Sequence, residues 1–326
     1  MRDVADAAGV SLKTVSRVIN GEPGVADGTA RRVGQAISEL RFERNDLAAS
    51  LRHGQSSGTL GLVIEDVGNP FYSAIAQAVE GAARDRGLLL ITASAREDPE
   101  REHELVRAML RRRVDALLIV PAGGDHRYVF DGAGDVHAVF LDRPPAGIDA
   151  DTVLIDNAAG TRRAVEHLLA QGHRRIACVS DSGELYTASE RLAGYRAALA
   201  AAGVAEDPAL VRTGNTSASQ AEATVAELLA LRPAERPTAI LTANNRDTVG
   251  ALRALAGRRR RPALVGFDDF ELADVLGVTV VRSDPGLMGE RAAALAFARL
   301  DGDASAPRHL RIPAELVVRG SGEVAP

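Results

Sequence analysis

In the stretch VSLKTVSRVIN, residues 10–20, a helix opening at Ser11 places Lys13, Ser16, Arg17 and Asn20 at i, i+3, i+4 and i+7. The four polar side chains share one face, and Val15, Val18 and Ile19 point away from it. Such a face can read nucleic acid. Arg17 can bond a guanine edge in two places, Lys13 can reach guanine or phosphate, and Ser16 and Asn20 can bond bases or backbone. Periodicity alone fits a solvated helix face better. Three short helices with a small apolar core in about forty residues tilt the reading toward a binding module.

Other chemistries find little support. The single cysteine, Cys178, sits in the apolar run IACV, as expected of a small buried thiol rather than a nucleophile. The seven histidines are scattered, with no metal-ligand spacing. The sequence GAGDVH, residues 132–137, faintly echoes a dinucleotide loop, but it lacks the third glycine and precedes a strand instead of linking strand to helix. No GxSxG element, phosphate-binding loop or supported carboxylate pair is present, so no enzyme is expected.

Composition agrees. The 326 residues are 46% hydrophobic and 25% charged, as in an ordinary soluble globular protein of two or three compact units. No apolar run nears the ~18 residues that span a bilayer, and the first residues lack the apolar core of a signal peptide. These features predict a cytoplasmic protein. Residues 1–54 carry eight Lys and Arg against seven Asp and Glu, and the remainder 31 against 37, a balance of +1 and −6 that makes up the net charge of −5. Lys13 is the only lysine.

The elements that must hold the polar face are short. Helices are expected over Asp3–Ala8, Ser11–Asn20 and Thr29–Leu40, with a turn at Gly9 and the loop GEPGVADG between the last two. A tight glycine turn followed by a capping serine is what a helix-turn-helix requires. From about residue 55, short apolar runs alternate with amphipathic helices, and strands are expected at 60–64, 88–93, 115–120, 138–142, 176–180, 238–242, 263–267 and 279–283. Near-continuous apolar strands separated by helices imply parallel sheets covered on both faces, and the run divides near residue 156 into two doubly wound halves.

The segment DVADAAGVSLKTVSRVINGEPGVADGTARRVGQAISEL resembles the DNA-binding head of the LacI/GalR family of bacterial repressors. The likeness continues through NDLAASLRHG, NPFY, FLDR, ERLAGYRAAL, ANN and VGFDD in family order and covers essentially the whole chain. It implies that Leu12, Lys13 and Arg17 read bases in the major groove, with Ser11, Thr14, Ser16 and Asn20 in backbone or supporting contacts. Periodicity leaves Leu12 open, because it could cover the small core beside Val15 and Ile19. The resemblance assigns it to the groove.

Residues 45–54 are too few and too polar for a helix stable by itself. In relatives such a hinge folds when two copies meet on DNA, and a leucine from each wedges into the minor groove. The resemblance gives that role to Leu51, with Asn45 near the hinge start and Ala48 on the face toward the partner hinge. A plain linker is the alternative. Where the family has an aromatic followed by x-Pro-Asn, this chain reads Phe42, Glu43, Arg44, Asn45, so the proline is lost.

For the body, the resemblance implies the two-lobed periplasmic-binding-protein fold, with a small ligand in the cleft at the carboxyl ends of the strands. Asp142 and Arg143 end one expected strand, Asn244 and Asp268 follow two others, and Arg191 opens a helix. In relatives these positions hold ligand hydroxyls, with Glu65, Phe71 and Tyr72 lining the amino-side lobe. Acid, amide and guanidinium groups suit a polyhydroxylated molecule. Structural roles compete: Asp268 and Asn244 could cap helices, and Arg191 could pair with Glu190 or Asp181. Asn245 and Ser283 depart from the family's usual Asp and Gln.

The expected whole is a small all-α helix-turn-helix head at 1–44, a hinge and linker at 45–57, and an α/β body at 58–326. The amino-side lobe would take about 58–156 and 284–302, the carboxyl-side lobe about 157–283 and 303–326. The expected protein is a homodimeric regulator, a repressor, on a pseudo-palindromic duplex operator. It needs no cofactor or metal and is controlled by a small polar effector, a sugar by family weighting. An exported solute-binding protein shares the body but has no use for residues 1–54. A repressor that senses no small molecule is a third reading. Nothing after ELVVRGS carries a heptad repeat that could join dimers into a tetramer.

Overall fold

The computed structural model describes residues 1–19, 22–40, 57–131 and 136–326. The expectations for Asn20, Asn45, Ala48 and Leu51 lie outside them. Met1–Ser57 and Gly58–Pro326 form two separate compact units.

The first unit is three helices, α1 (Arg2–Ala8), α2 (Leu12–Ile19) and α3 (Asp27–Glu39). Gly9 ends α1 at φ 64°, the left-handed conformation that glycine adopts without a Cβ clash, and this turns the chain into α2. The Ser11 hydroxyl accepts the Thr14 N–H at 3.2 Å, which caps α2. Val4, Ala5, Ala8, Val15, Val33 and Ala36 form the core, with Val10, Val18, Ile19 and Ile37 packed against it.

The second unit holds two six-stranded sheets. The first comprises β1 (Thr59–Ile64), β2 (Leu89–Ser94), β3 (Ala116–Ile119), β4 (His137–Leu141), β5 (Asp151–Ile155) and β11 (His309–Ile312), in the order β11-β5-β4-β3-β1-β2. The second comprises β6 (Ile176–Val179), β7 (Val211–Arg212), β8 (Ala239–Thr242), β9 (Ala263–Phe267), β10 (Thr279–Arg282) and β12 (Glu315–Val317), in the order β12-β10-β9-β8-β6-β7. All pairings are parallel except β10 with β12. The two strand orders match position for position, with only the direction of β12 reversed relative to β11, so β4 in the first lobe corresponds to β9 in the second. Every residue of β3, β6, β8 and β9 is buried, which is why these strands read as continuous apolar runs.

Helices α4 (Pro70–Asp85) and α5 (Pro99–Arg111) cover the first sheet together with α10 (Pro285–Leu300). Helices α6 (Asn157–Ala170), α7 (Tyr186–Ala201), α8 (Ala218–Ala230) and α9 (Asn245–Leu255) serve the second. The chain therefore crosses between lobes near 156, near 284 and near 313. The third crossing corrects the expectation that 303–326 belongs wholly to the carboxyl-side lobe, since His309–Ile312 pairs with β5 in the first sheet. Strands β5, β7, β11 and β12 were absent from the sequence reading. Three of the four lie at sheet edges and are short or polar, so they leave no apolar run to detect.

One helix contact positions a cleft residue. A Cβ on Gly194 of α7 would overlap the Ala158 carbonyl oxygen of α6, so only glycine permits this approach. It brings the Arg191 Nε, one turn earlier, to 2.7 Å from Asn157 Oδ1. Gly194→Ala is expected to force the helices apart and to destabilise the body by about 1–3 kcal/mol. Thermal unfolding of the variant beside the parent checks this, and an unchanged midpoint would contradict it.

Candidate functional site

In the head, Leu12 is 46% exposed and outside the apolar core, so the alternative of core cover fails. Lys13 is exposed beside it, while Thr14, Ser16 and Arg17 are half-buried. Arg17 leans on the loop after α2: its guanidinium donates to the Pro23 carbonyl, and Nε lies 3.5 Å from Glu22 Oε2. Ser11 is spent on its cap. The exposed end of α2 thus offers one apolar and two cationic side chains for a groove.

In the body, all eight expected residues, Glu65, Phe71, Tyr72, Asp142, Arg143, Arg191, Asn244 and Asp268, line one hollow of about 670 Å³ between the lobes. It lies at the carboxyl ends of the strands, where parallel sheets place their ligands. A larger hollow of about 840 Å³ beside the crossing segments shares Phe71 and Asp268 but gathers fewer buried polar groups.

The two lobes face each other with matching aspartates. Asp142 follows β4 and Asp268 follows β9, both at φ 65°, with N–H groups donating to Val153 O and Val281 O of the next strand. Left-handed backbone at a non-glycine residue costs of order 1–3 kcal/mol and is typical of functional positions. Each carboxylate uses one oxygen inside the protein. Asp142 Oδ2 accepts the Tyr72 hydroxyl at 3.0 Å, and Asp268 Oδ2 lies 3.7 Å from Arg191 Nη1. The Oδ1 atoms of both are buried without a hydrogen-bond partner.

Around them the arginines are occupied. Arg143 is bonded to Glu97 and donates to Pro121 O at 2.9 Å. Arg191 donates to Asn157 and to the Ala243 carbonyl and lies 3.8 Å above the Phe267 ring. It pairs with Asp268 rather than with Glu190 or Asp181. Arg246 reaches from α9 across to Glu65 at 3.1 Å and Asp66 at 2.8 Å, and Asn245 Nδ2 donates to Asn69 Oδ1 at 2.8 Å, so both link the lobes.

Three of the lining residues are also tied into the protein's own structure. Asn244 caps α9 by accepting the Asp247 N–H at 2.8 Å, its amide donates to Asp247 Oδ2, and its side chain also bonds Asp181 of the lining, so it serves the helix end and the hollow together. Phe71 and Tyr72 are both buried, their planes stand at 83°, and the Tyr72 hydroxyl is committed to Asp142. The sequence reading also missed Asn69, Glu97, Asp181, Asn215 and Arg246, which line the same hollow. Asp181 follows β6, so the strand-end rule that picked Asp268 could have picked it. Cys178 is buried, and burial raises its thiol to about 12, which leaves it inert.

Burial raises the Asp268 carboxyl to about 6, helped by Asp142 and Asp181 and opposed by Arg191. Burial and Asp181 raise Asp247 to about 8 behind the cleft wall. An Asp268 carboxylate accepting a ligand donor loses that acceptor capacity when protonated. Effector affinity should therefore fall severalfold as pH drops from 7.5 to 5. Calorimetric titration across that range checks it, and a flat profile would remove Asp268 from the contact set.

A three-helix head of helix-turn-helix form and a two-lobed body around a polar cleft define a ligand-responsive DNA-binding protein. Residues 1–45 match the family described as bacterial regulatory proteins, lacI family, and 165–322 match a periplasmic binding protein-like domain. The chain is 31% identical to the ribose operon repressor of Escherichia coli (strain K12), over 98% of this chain and 99% of that one. Its structure matches the transcriptional regulator CelR in complex with cellobiose at 32% identity and a TM-score of 0.72, over 98% of both chains. It matches the lac repressor dimer bound to operator and the anti-inducer ONPF at 28% identity and a TM-score of 0.85, over 99% of this chain and 98% of that one. The chain belongs to the LacI family of bacterial regulatory proteins. It is a DNA-binding transcriptional regulator with an effector-binding body, and not an enzyme. No helix among the described residues is long and apolar enough to cross a membrane, and no cluster of metal ligands occurs among them.

Proposed function

We propose that the protein is a homodimeric repressor whose operator is released when a sugar binds between the lobes. The observation that carries this reading is the pair of unpartnered buried oxygens, Asp142 Oδ1 and Asp268 Oδ1, one from each lobe. A ligand donating to both binds one arrangement of the lobes better than any other, and that difference in affinity is what an allosteric effector requires. Cellobiose in the CelR complex supports the class of ligand. The finer assignments belong to the same reading: head 1–44, hinge 45–57 and body 58–326. Leu12, Lys13 and Arg17 read bases; Ser11, Thr14, Ser16 and Asn20 support the backbone contacts. Leu51 wedges the minor groove, with Asn45 and Ala48 beside it. Two-fold symmetry in the dimer is mirrored in a pseudo-palindromic site, and the work is done in the cytoplasm, where the DNA is.

The test is selection of bound duplexes from a random pool by the full-length protein at two salt concentrations, followed by release with free sugars. A palindrome with a flexible central step, released by a sugar, is expected. Recovery of no motif, with binding that only fades as salt rises, would overturn the reading.

A further inference from the structure

Proteins that hold phosphate esters keep a guanidinium fork or the N–H groups of a helix amino terminus open toward the ligand. In this cleft the helix starts and three of the four lining guanidiniums are already engaged, and of the four Arg96 alone is without an ion pair among the described residues. Arg143 is forked onto Glu97, Arg191 is tied to Asn157 and Asp268, and Arg246 is shared between Glu65 and Asp66. The helix starts are filled as well: Asn69 caps α4, Asp98 caps α5 and Asn244 caps α9, each accepting its own helix's N–H groups. Helix α7 opens at Leu185 without a side-chain cap, and there the neighbouring Glu184 lines the cleft with a further negative charge.

What the wall leaves unpartnered is mostly acceptor. Asp142 Oδ1, Asp268 Oδ1 and Asn245 Oδ1 are buried with no partner, against one such donor, Arg143 Nε. Buried acceptors are costly until a donor arrives, and a phosphate ester replaces one hydroxyl donor of the sugar with a group that is mainly acceptor.

On the reading of this cleft as the effector site, we infer that the effector is an uncharged, donor-rich polyol, an unphosphorylated sugar, and that its phosphate esters are rejected. Rejection follows from charge: the lining carries six carboxylates, Glu65, Glu97, Asp142, Asp181, Glu184 and Asp268, against four guanidiniums, of which Arg143, Arg191 and Arg246 are already paired and only the exposed Arg96 has no ion pair among the described residues. Glu97 is the residue that holds Arg143 away from such a group.

The experiment titrates the full-length protein, by calorimetry and thermal shift, with a pool of free mono- and disaccharides that includes ribose and cellobiose, and with a matched pool of their phosphate esters. The expected result is a response to the free sugars, with the ester of the best binder at least 100-fold weaker. Glu97→Gln should narrow that gap at least tenfold by releasing one side of Arg143; an unchanged gap would overturn the role given to the paired arginine. Esters that bind as tightly as the free sugars, or alone, would overturn the inference and leave the effector reading standing. Silence from both pools, in protein that still retains its operator, would overturn the sugar reading itself.

Discussion

Arg17→Ala is expected to reduce the ratio of operator to random-duplex affinity by about 10- to 100-fold, the 1–3 kcal/mol carried by a two-pronged contact to one base pair. The chain should fold as before. Arg17 lies outside the apolar core of the head, and its bonds are an ion pair to Glu22 and one to the Pro23 carbonyl, both near the surface. Exposed pairs of this kind contribute between zero and 1 kcal/mol. Because that carbonyl and carboxylate occupy the guanidinium in the free protein, binding must trade them for the base edge, and part of the gain is lost in the exchange. Lys13→Ala is the natural contrast. Its loss should reduce selectivity as well if Lys13 reads bases as proposed, whereas a uniform weakening across sequences, with the slope of log affinity against log salt lower by about one, would confine Lys13 to phosphate. Selection from a random pool by each variant separates the two. Undiminished selectivity in Arg17→Ala would take Arg17 out of the reader set.

How much of this was readable in the sequence depended on whether a feature is local or assembled. The head was accessible because its signals, the Gly9 turn, the Ser11 cap and the apolar residues at helical spacing, all act within a few residues of each other. The central strands were accessible for a related reason: burial on both faces forces an unbroken apolar run, as in ALLI of β3 and ALVGF of β9. Edge strands escape that constraint. HLRI of β11 is largely exposed, and nothing local tells which sheet it joins, so the third crossing between lobes could be seen only in the structure. Cleft residues divide in the same way. The strand-end rule and the family likeness located Asp142 and Asp268, but the equivalence of their left-handed backbones needs both lobes in view. Arg246 was invisible because its partners, Glu65 and Asp66, lie about 180 residues away in the other lobe. Asn244 shows that both local readings can hold at once, since a residue at the right strand end lines the hollow and also caps its own helix.

The largest effect on the body should come from Arg191→Met, which keeps most of the bulk and removes the charge. In the parent, Arg191 balances Asp268, satisfies Asn157 and the Ala243 carbonyl, and covers Phe267. Methionine leaves a buried carboxylate without its counter-charge, and breaking one side of such a pair typically costs 3–5 kcal/mol. The deficit should depend on pH in a defined direction. Asp268 titrates near 6 in the folded protein against an ordinary 3.8, because burial disfavours its charge. The folded state therefore binds a proton that the unfolded chain has released, and stability contributed at this site falls as pH rises through that window. Without Arg191 the folded value moves higher still, so the variant should lose more at pH 8 than at pH 5. Asp268→Asn in the same chain removes the charge that was stranded. The double variant should recover most of the lost stability at pH 8 and little of the effector response, since a neutral amide with one acceptor oxygen replaces the carboxylate. Chemical denaturation at the two pH values, read as a double-mutant cycle, isolates the pair. If Arg191→Met instead unfolds like the parent at both pH values, Asp268 is held by its burial and backbone alone, and Arg191 is in the cleft for the ligand.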